Sequence, residues 1–98
     1  IKLTYIFSSL SIYKMDKELY KPFKSSAKNK KYSVYVMKDG KKRLIHFGDS
    51  RYGQFKDKLG EYKKLDTNDE TRKKLYYKRF GTTTDKNTAL YWASKILW

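Results

Sequence analysis

KKYSVYVMKDGKKRLIHFGDS, residues 30–50, decides the fold. Apolar and polar residues alternate as far as Asp39-Gly40, and a second apolar run follows. A side-chain period of two marks a strand with one buried face. Asp-Gly between two such runs predicts a two-residue type I′ hairpin turn, whose central residues both need positive φ. That turn sets the register: Lys38 opposite Lys41, Val36 opposite Arg43, Val34 opposite Ile45 and Tyr32 opposite Phe47. These residues share one face, mostly apolar, which is the expected core side. The other face carries Ser33, Tyr35 and Met37 against His46, Leu44 and Lys42. Lysines gather at the turn and the exposed edges, where charge also discourages edge-to-edge pairing.

Downstream, Gly48 permits an unusual backbone angle, and Asp49 is expected to bond nearby amides or Arg51 and so end the second strand. Residues 51–66, punctuated by Gly53 and Gly60, read as a loop with a short helix or turn around Phe55–Leu59. Thr67 with Glu70 resembles a capping box, and Gly81 supplies a stop, so a helix over 68–80 is predicted. Leu75, Tyr76 and Phe80 give it an apolar stripe. TTTD, residues 82–85, prepares a second helix with Thr84 or Asp85 as cap. Ala89, Trp92, Ala93 and Ile96 fall at helical spacing, widened by Leu90 and Leu97. From Thr82 onward the only charges are Asp85, Lys86 and Lys95. This nearly neutral helix is the one expected to cross the sheet and close the core.

Upstream, the sole proline, Pro22, precedes KSSAKNKK, which has the composition of a solvated linker. Leu19, Tyr20 and Phe23 are its docking candidates. The chain therefore divides into an N-terminal arm, 1–29, and a compact domain, 30–98. The expected class is α+β: a small β-hairpin or sheet packed by two C-terminal helices and preceded by a basic, flexible arm. The first fourteen residues, IKLTYIFSSLSIYK, precede a more ordinary start at Met15. They could be a processed fragment, an artificial boundary or upstream in-frame sequence. Serines interrupt their apolar run, which makes a poor signal peptide, and the run is too short to span a bilayer. No membrane segment is expected.

The 98 residues carry 24 Lys plus Arg against 10 Asp plus Glu, a formal net charge of +14. Such an excess implies an acidic partner: nucleic acid, an anionic membrane or an acidic protein face. The candidate contacts are Lys28, Lys30 and Lys31 at the end of the arm, Lys41, Lys42 and Arg43 at the hairpin end, and Arg72, Lys73, Lys74, Lys78 and Arg79 along the first helix. Lysine far outnumbers arginine, which favours attraction to phosphates over reading of bases. Tyr35, on the outer hairpin face, is a candidate for stacking on an exposed base.

Chemistry of other kinds finds little support. The chain has no cysteine, so disulfides, thiolate catalysis and Cys-type zinc sites are excluded. His46, the single histidine, has no partner set for a dyad or triad and is expected to be structural. Asp49 with EYK at 61–63 faintly resembles the Asp…Glu-x-Lys pattern of metal-dependent nucleases, but those need a larger sheet, and surface charge is the simpler reading. The expectation is a non-enzyme without catalytic residues, cofactor, metal or small-molecule substrate.

Four stretches taken together, KKYSVYV at 30–36, HFGDS at 46–50, NDETRKKLYYKRFG at 68–81 and ALYWASKILW at 89–98, resemble an uncharacterised family of small basic proteins. Its members belong to large nucleocytoplasmic double-stranded DNA viruses, with look-alikes in tailed phages. The likeness covers residues 30–98. It implies a viral protein, associated with the virion as a minor capsid or internal structural component, and met in the host cytoplasm or nucleus during infection. Its implied partners are viral DNA and capsid proteins. The alternative is a sequence-independent nucleic-acid-binding module acting in the infected cell. The chain departs from the family pattern at Phe80, where a KRHG-like run is expected, so no role of that histidine carries over.

Overall fold

The structure, a computed structural model, describes residues 18–98. The expectations for the first fourteen residues, and for the arm as far as residue 17, lie outside the described residues. Strand β1 is Phe23–Lys24, β2 is Lys30–Lys38 and β3 is Lys41–Asp49; a 3-10 turn at Lys63–Leu65 precedes helices α1, Glu70–Phe80, and α2, Ala89–Ile96. The architecture is α+β: a three-stranded antiparallel sheet in the order β1-β2-β3, followed by the two helices.

The hairpin has the register its turn dictates. Val36 pairs with Arg43, Val34 with Ile45 and Tyr32 with Phe47, and Asp39 and Gly40 have φ of 53° and 73°. Tyr32, Val34, Val36 and Phe47 form the sheet's side of the core, and Trp92, Ile96 and Leu97 close it from α2 and its end. Complete burial of such side chains is the main favourable contribution in a domain this small. Helix α1 holds no buried residue. It leans on α2 instead, with the Tyr76 hydroxyl 3.0 Å from Ser94 Oγ and the Tyr77 hydroxyl donating to the Ser94 carbonyl.

Both helix caps differ from expectation. Asp69, not Thr67, caps α1, its carboxylate accepting from the amides of Thr71 and Arg72. Thr67 stands one turn too early: its hydroxyl donates to the Gln54 carbonyl at 2.9 Å and accepts from the Asp69 amide at 3.3 Å, and the chain reverses at Asn68, φ 52°, before the helix begins. Thr88 rather than Thr84 or Asp85 caps α2, and Asp85 instead accepts from the Asn87 amide in the preceding turn. Of the short helix or turn expected around Phe55–Leu59, no helix forms; the Leu59 amide donates to the Asp57 carboxylate in a side-chain turn, and the 3-10 turn lies further on.

The described part of the expected arm lies against the sheet. Phe23 and Lys24 pair with Ser33 and Tyr32, and the Tyr20 amide donates to the Tyr35 carbonyl at 2.7 Å. The sheet thus begins before Lys30, the expected domain boundary, because β2 offers these residues a strand edge to pair with.

A polar knot holds the long loop down. The Asp57 carboxylate, buried, accepts from the Tyr32 hydroxyl at 2.6 Å and from the amides of Tyr62 and Leu59. Gln54, fully buried, donates to Asp66 and to the Tyr62 carbonyl and accepts from Lys31. Among the described residues every buried side-chain polar atom has a partner, as burial without loss of stability requires.

Candidate nucleic-acid interface

Helix α1 splits its cations among three directions. A helix turns 100° per residue, so Arg72, Tyr76 and Arg79 fall on one stripe and Lys74 and Lys78 on another. The first stripe faces a cleft of about 590 Å³ between α1, α2 and the end of β3. The second is exposed to solvent. Lys73 belongs to neither stripe: it is half-buried, with its ammonium 4.5 Å from the Phe55 ring centroid.

The cleft has an apolar floor of Phe47, Leu90, Ala93 and Leu97, and aromatic walls of Tyr76, Phe80 and Trp98. Tyr76 and Trp98 are stacked, with centroids 4.7 Å apart and planes 8° from parallel. Burial raises the Tyr76 phenol above its ordinary pKa, its bond to Ser94 opposing. Gly48 keeps the floor closed: its φ is +77°, and a Cβ there would stand 2.7 Å from Leu97 Cδ1 and 3.1 Å from Lys31 Cβ. Arg72, Arg79 and Lys30 bring positive charge to the cleft, and the carboxylate that also lines it, Asp49, is paired with Arg51. Among the described residues neither cleft arginine is paired with a carboxylate, whereas Arg51 is paired with Asp49 and Lys21 with Glu18.

The expected contact residues separate into groups. Lys41, Lys42 and Arg43 are exposed at the hairpin turn, one strand length from Asp49, about 26 Å at 3.3 Å per residue. Lys28 and Lys30 are exposed near the other end, where Lys30 pairs with Asp49 across the strands. Lys31 does not belong to any such surface: it is 2% exposed, and its ammonium donates to the Tyr52 carbonyl at 2.8 Å and to Gln54 Oε1. Burial lowers its pKa against the pull of Asp57, Asp49 and Asp66. It is a structural lysine.

Tyr35 is likewise engaged. Its ring stacks on Phe23 at 5.8 Å and holds the Lys42 ammonium at 4.7 Å, so it is not a bare platform for a base. Among the aromatic residues that do line an open concavity are Tyr76, Phe80 and Trp98, whose place in a site sequence reasoning misses. The four-residue step from Tyr76 to Phe80 is their only local signal. Trp98 joins them through the packing of α1 beside the end of α2.

The remaining candidates have structural partners. His46 Nδ1 lies 2.6 Å from Ser33 Oγ and 3.3 Å from Ser25 Oγ, tying β3 to β2 and to the segment after β1. Asp49 accepts from the Arg51 amide at 2.9 Å and from its guanidinium at 3.0 and 2.7 Å. Those bonds hold its pKa far below the usual carboxylate range. Glu61 is exposed. Among the described residues no group of three or more His, Asp or Glu could hold a metal ion, and no helix is long and apolar enough to cross a membrane. Comparison with protein families, with characterised proteins and with solved structures finds no match for the chain.

Proposed function

We propose that this is a non-catalytic basic protein that contacts nucleic acid, in the first place duplex DNA, through the phosphate backbone and without regard to sequence. Its setting, following the family resemblance, is the particle of a large double-stranded DNA virus, where it serves as a minor internal or capsid-associated component. One observation carries the reading: five of the aspartates are committed internally, whereas lysines on α1 and at the hairpin turn are not. Asp57 and Asp66 sit in the loop's polar knot, Asp69 and Asp85 cap turns, and Asp49 holds Arg51. Lys74, Lys78, Lys38 and Lys41 are exposed without ion pairs among the described residues. Surplus charge of this kind attracts a polyanion and releases its condensed counterions.

The direct test measures duplex affinity against salt for the wild type and a Lys74→Glu, Lys78→Glu double variant. The double variant should bind every sequence more weakly, with a log–log salt slope shallower by about 0.9 for each phosphate no longer neutralised. Unchanged affinity and slope would remove α1 from the interface and turn attention to acidic coat-protein surfaces. Mass spectrometry of purified particles checks the setting. Absence from them would favour the alternative of a nucleic-acid-binding module acting within the infected cell.

A further inference from the structure

We propose that the cleft between α1, α2 and β3 receives one unstacked nucleotide, its base among the aromatic and apolar walls and its phosphate at Arg72 and Arg79. The proposal rests on the nucleic-acid reading but concerns a different contact, with a base rather than with the backbone of a duplex. Phe47, Leu90, Ala93 and Leu97 make an apolar floor that no described side chain fills. The cleft's volume, about 590 Å³, lies within the range of small-ligand sites. A flat ring satisfies such walls: Tyr76 and Trp98 cover one face of each other, with planes 8° from parallel, and an incoming base would meet the surfaces that this stack leaves open. Phe80 beside it is 50% exposed, with the Arg79 guanidinium 5.2 Å from its ring centroid, a contact that an incoming base would share or displace.

Charge selects the rest of the occupant. The chain has four arginines, Arg43, Arg51, Arg72 and Arg79, and two of them line this one cleft. Guanidinium groups hold phosphate oxygens two at a time, whereas lysines act as point charges. Seven residues apart on α1, Arg72 and Arg79 are about 10.5 Å apart along the helix axis and flank Tyr76. A second hollow of about 230 Å³ adjoins the first and shares Arg72, Tyr76, Arg79, Phe80 and Trp98 with it. It gives a strand room to leave past the same two cations. Stacked and paired bases of a duplex present no free face to such a wall, so the occupant is a single-stranded or terminal nucleotide. A free nucleotide shares that chemistry.

The test uses the full chain with fluorescence anisotropy and calorimetry. The probes are an oligothymidylate and a duplex, each of about twelve residues per strand, an abasic oligomer of that length, dTMP and deoxyribose 5-phosphate. Phe80→Ala should weaken oligothymidylate binding about tenfold while changing duplex and abasic binding less than about threefold. Lys74→Gln, outside the cleft, should weaken all three polymers alike. Phe80 lies outside the core cluster, and thermal melting verifies that the variant folds. Saturable dTMP binding that deoxyribose 5-phosphate does not reproduce would support the site and mark free nucleotide as an occupant; base-dependent binding of the oligomer alone would place the nucleotide within a strand. If oligothymidylate and abasic oligomer bind equally to wild type and Phe80→Ala, and dTMP no better than the sugar phosphate, the site is overturned while backbone binding stands. If dTMP binds and no polymer backbone does, the backbone reading falls and the cleft survives. An acidic peptide such as oligoglutamate that displaces oligothymidylate, and whose binding weakens about tenfold on Phe80→Ala, would overturn the choice of occupant.

Discussion

The Tyr32 hydroxyl donates a 2.6 Å hydrogen bond to the Asp57 carboxylate, joining β2 to the long loop across 25 residues of sequence. Through this bond a segment with almost no regular structure becomes part of the core. The same Tyr32 ring packs edge-on against Tyr62 at 5.5 Å and beside Phe47, so the loop gains an apolar contact and a polar one at a single residue.

Asp57 should therefore govern stability in acid. Burial alone would raise its pKa, but the bonds from Tyr32 and from the amides of Tyr62, Gly60 and Leu59 outweigh it and leave the value lowered. A carboxyl whose pKa is lower folded than unfolded stabilises the fold above the ordinary value, about 4, and loses that contribution as pH falls through the folded value. Asp57→Asn should cost about 3 kcal/mol near neutrality, because the amide, with one oxygen in place of two, cannot accept all of these hydrogen bonds. Its urea midpoint should also depend less on pH below about 4 than that of the wild type. Parallel pH profiles for the two proteins would contradict this.

Lys31→Met separates burial from binding. The methionine fits the volume but leaves the Tyr52 carbonyl and Gln54 Oε1 without their donor, a loss of about 1–3 kcal/mol. Duplex affinity should be unchanged, because Lys31 is enclosed, whereas Lys30→Met should weaken it. The lowered Lys31 pKa means that the charged form opposes folding. Wild type should therefore gain on the variant as pH rises through the folded value toward the ordinary lysine pKa, about 10.4. Chemical denaturation of both proteins between neutral and alkaline pH tests the sign.

Gly48→Ala and Gly40→Ala isolate packing from backbone strain. Both glycines have φ near +75° (+77° and +73°), but a Cβ at Gly40 meets nothing within 4 Å, whereas one at Gly48 stands 2.7 Å from Leu97 Cδ1. Gly40→Ala should cost about 1 kcal/mol, the left-handed backbone penalty alone. Gly48→Ala should cost about 1–3 kcal/mol more, since Leu97 or β3 must shift. Equal melting temperatures for the two variants would refute the close approach.

Sequence reveals what local periodicity controls. The Asp39-Gly40 turn fixes the hairpin register to the residue, because a slip by one would place Val34, Val36 and Phe47 in water. The stripe Trp92, Ala93, Ile96 and Leu97 identifies the helix that closes the core. What it conceals depends on partners distant in the chain. Phe23–Lys24 is too short to show a period, and it is a strand only because β2 presents an edge. Lys31 occupies a polar position in the alternation, and nothing nearby announces that Tyr52 and Gln54 will enclose it. Thr67 and Asp69 are both cap-forming residue types; the left-handed backbone at Asn68, φ 52°, leaves Thr67 with the loop and Asp69 with the helix. The cleft is hidden for the same reason, since Tyr76, Trp98 and Phe47 meet only through the packing of three elements.

Separation of the two exposed basic groups predicts a length threshold for DNA. The hairpin turn, with Lys38, Lys41 and Arg43, lies about 26 Å along β3 from the end that carries Lys30. A duplex advances 3.4 Å per base pair, so about eight pairs are needed to span that distance. If both ends touch one duplex, the second contact becomes intramolecular once the duplex reaches across, and affinity rises faster than the number of available registers. Wild-type affinity should therefore climb steeply between about six and about twelve base pairs. Lys41→Glu with Arg43→Glu should abolish the step while leaving binding to the shorter duplex within about twofold, because the shorter duplex already uses only one end. These substitutions lie in exposed positions next to the turn, and Lys38 and Lys41 face one another there, so replacing Lys41 also relieves a like-charge pair and should not lower the melting temperature. An affinity that rises smoothly with length in both proteins would mean that the two basic groups serve different partners.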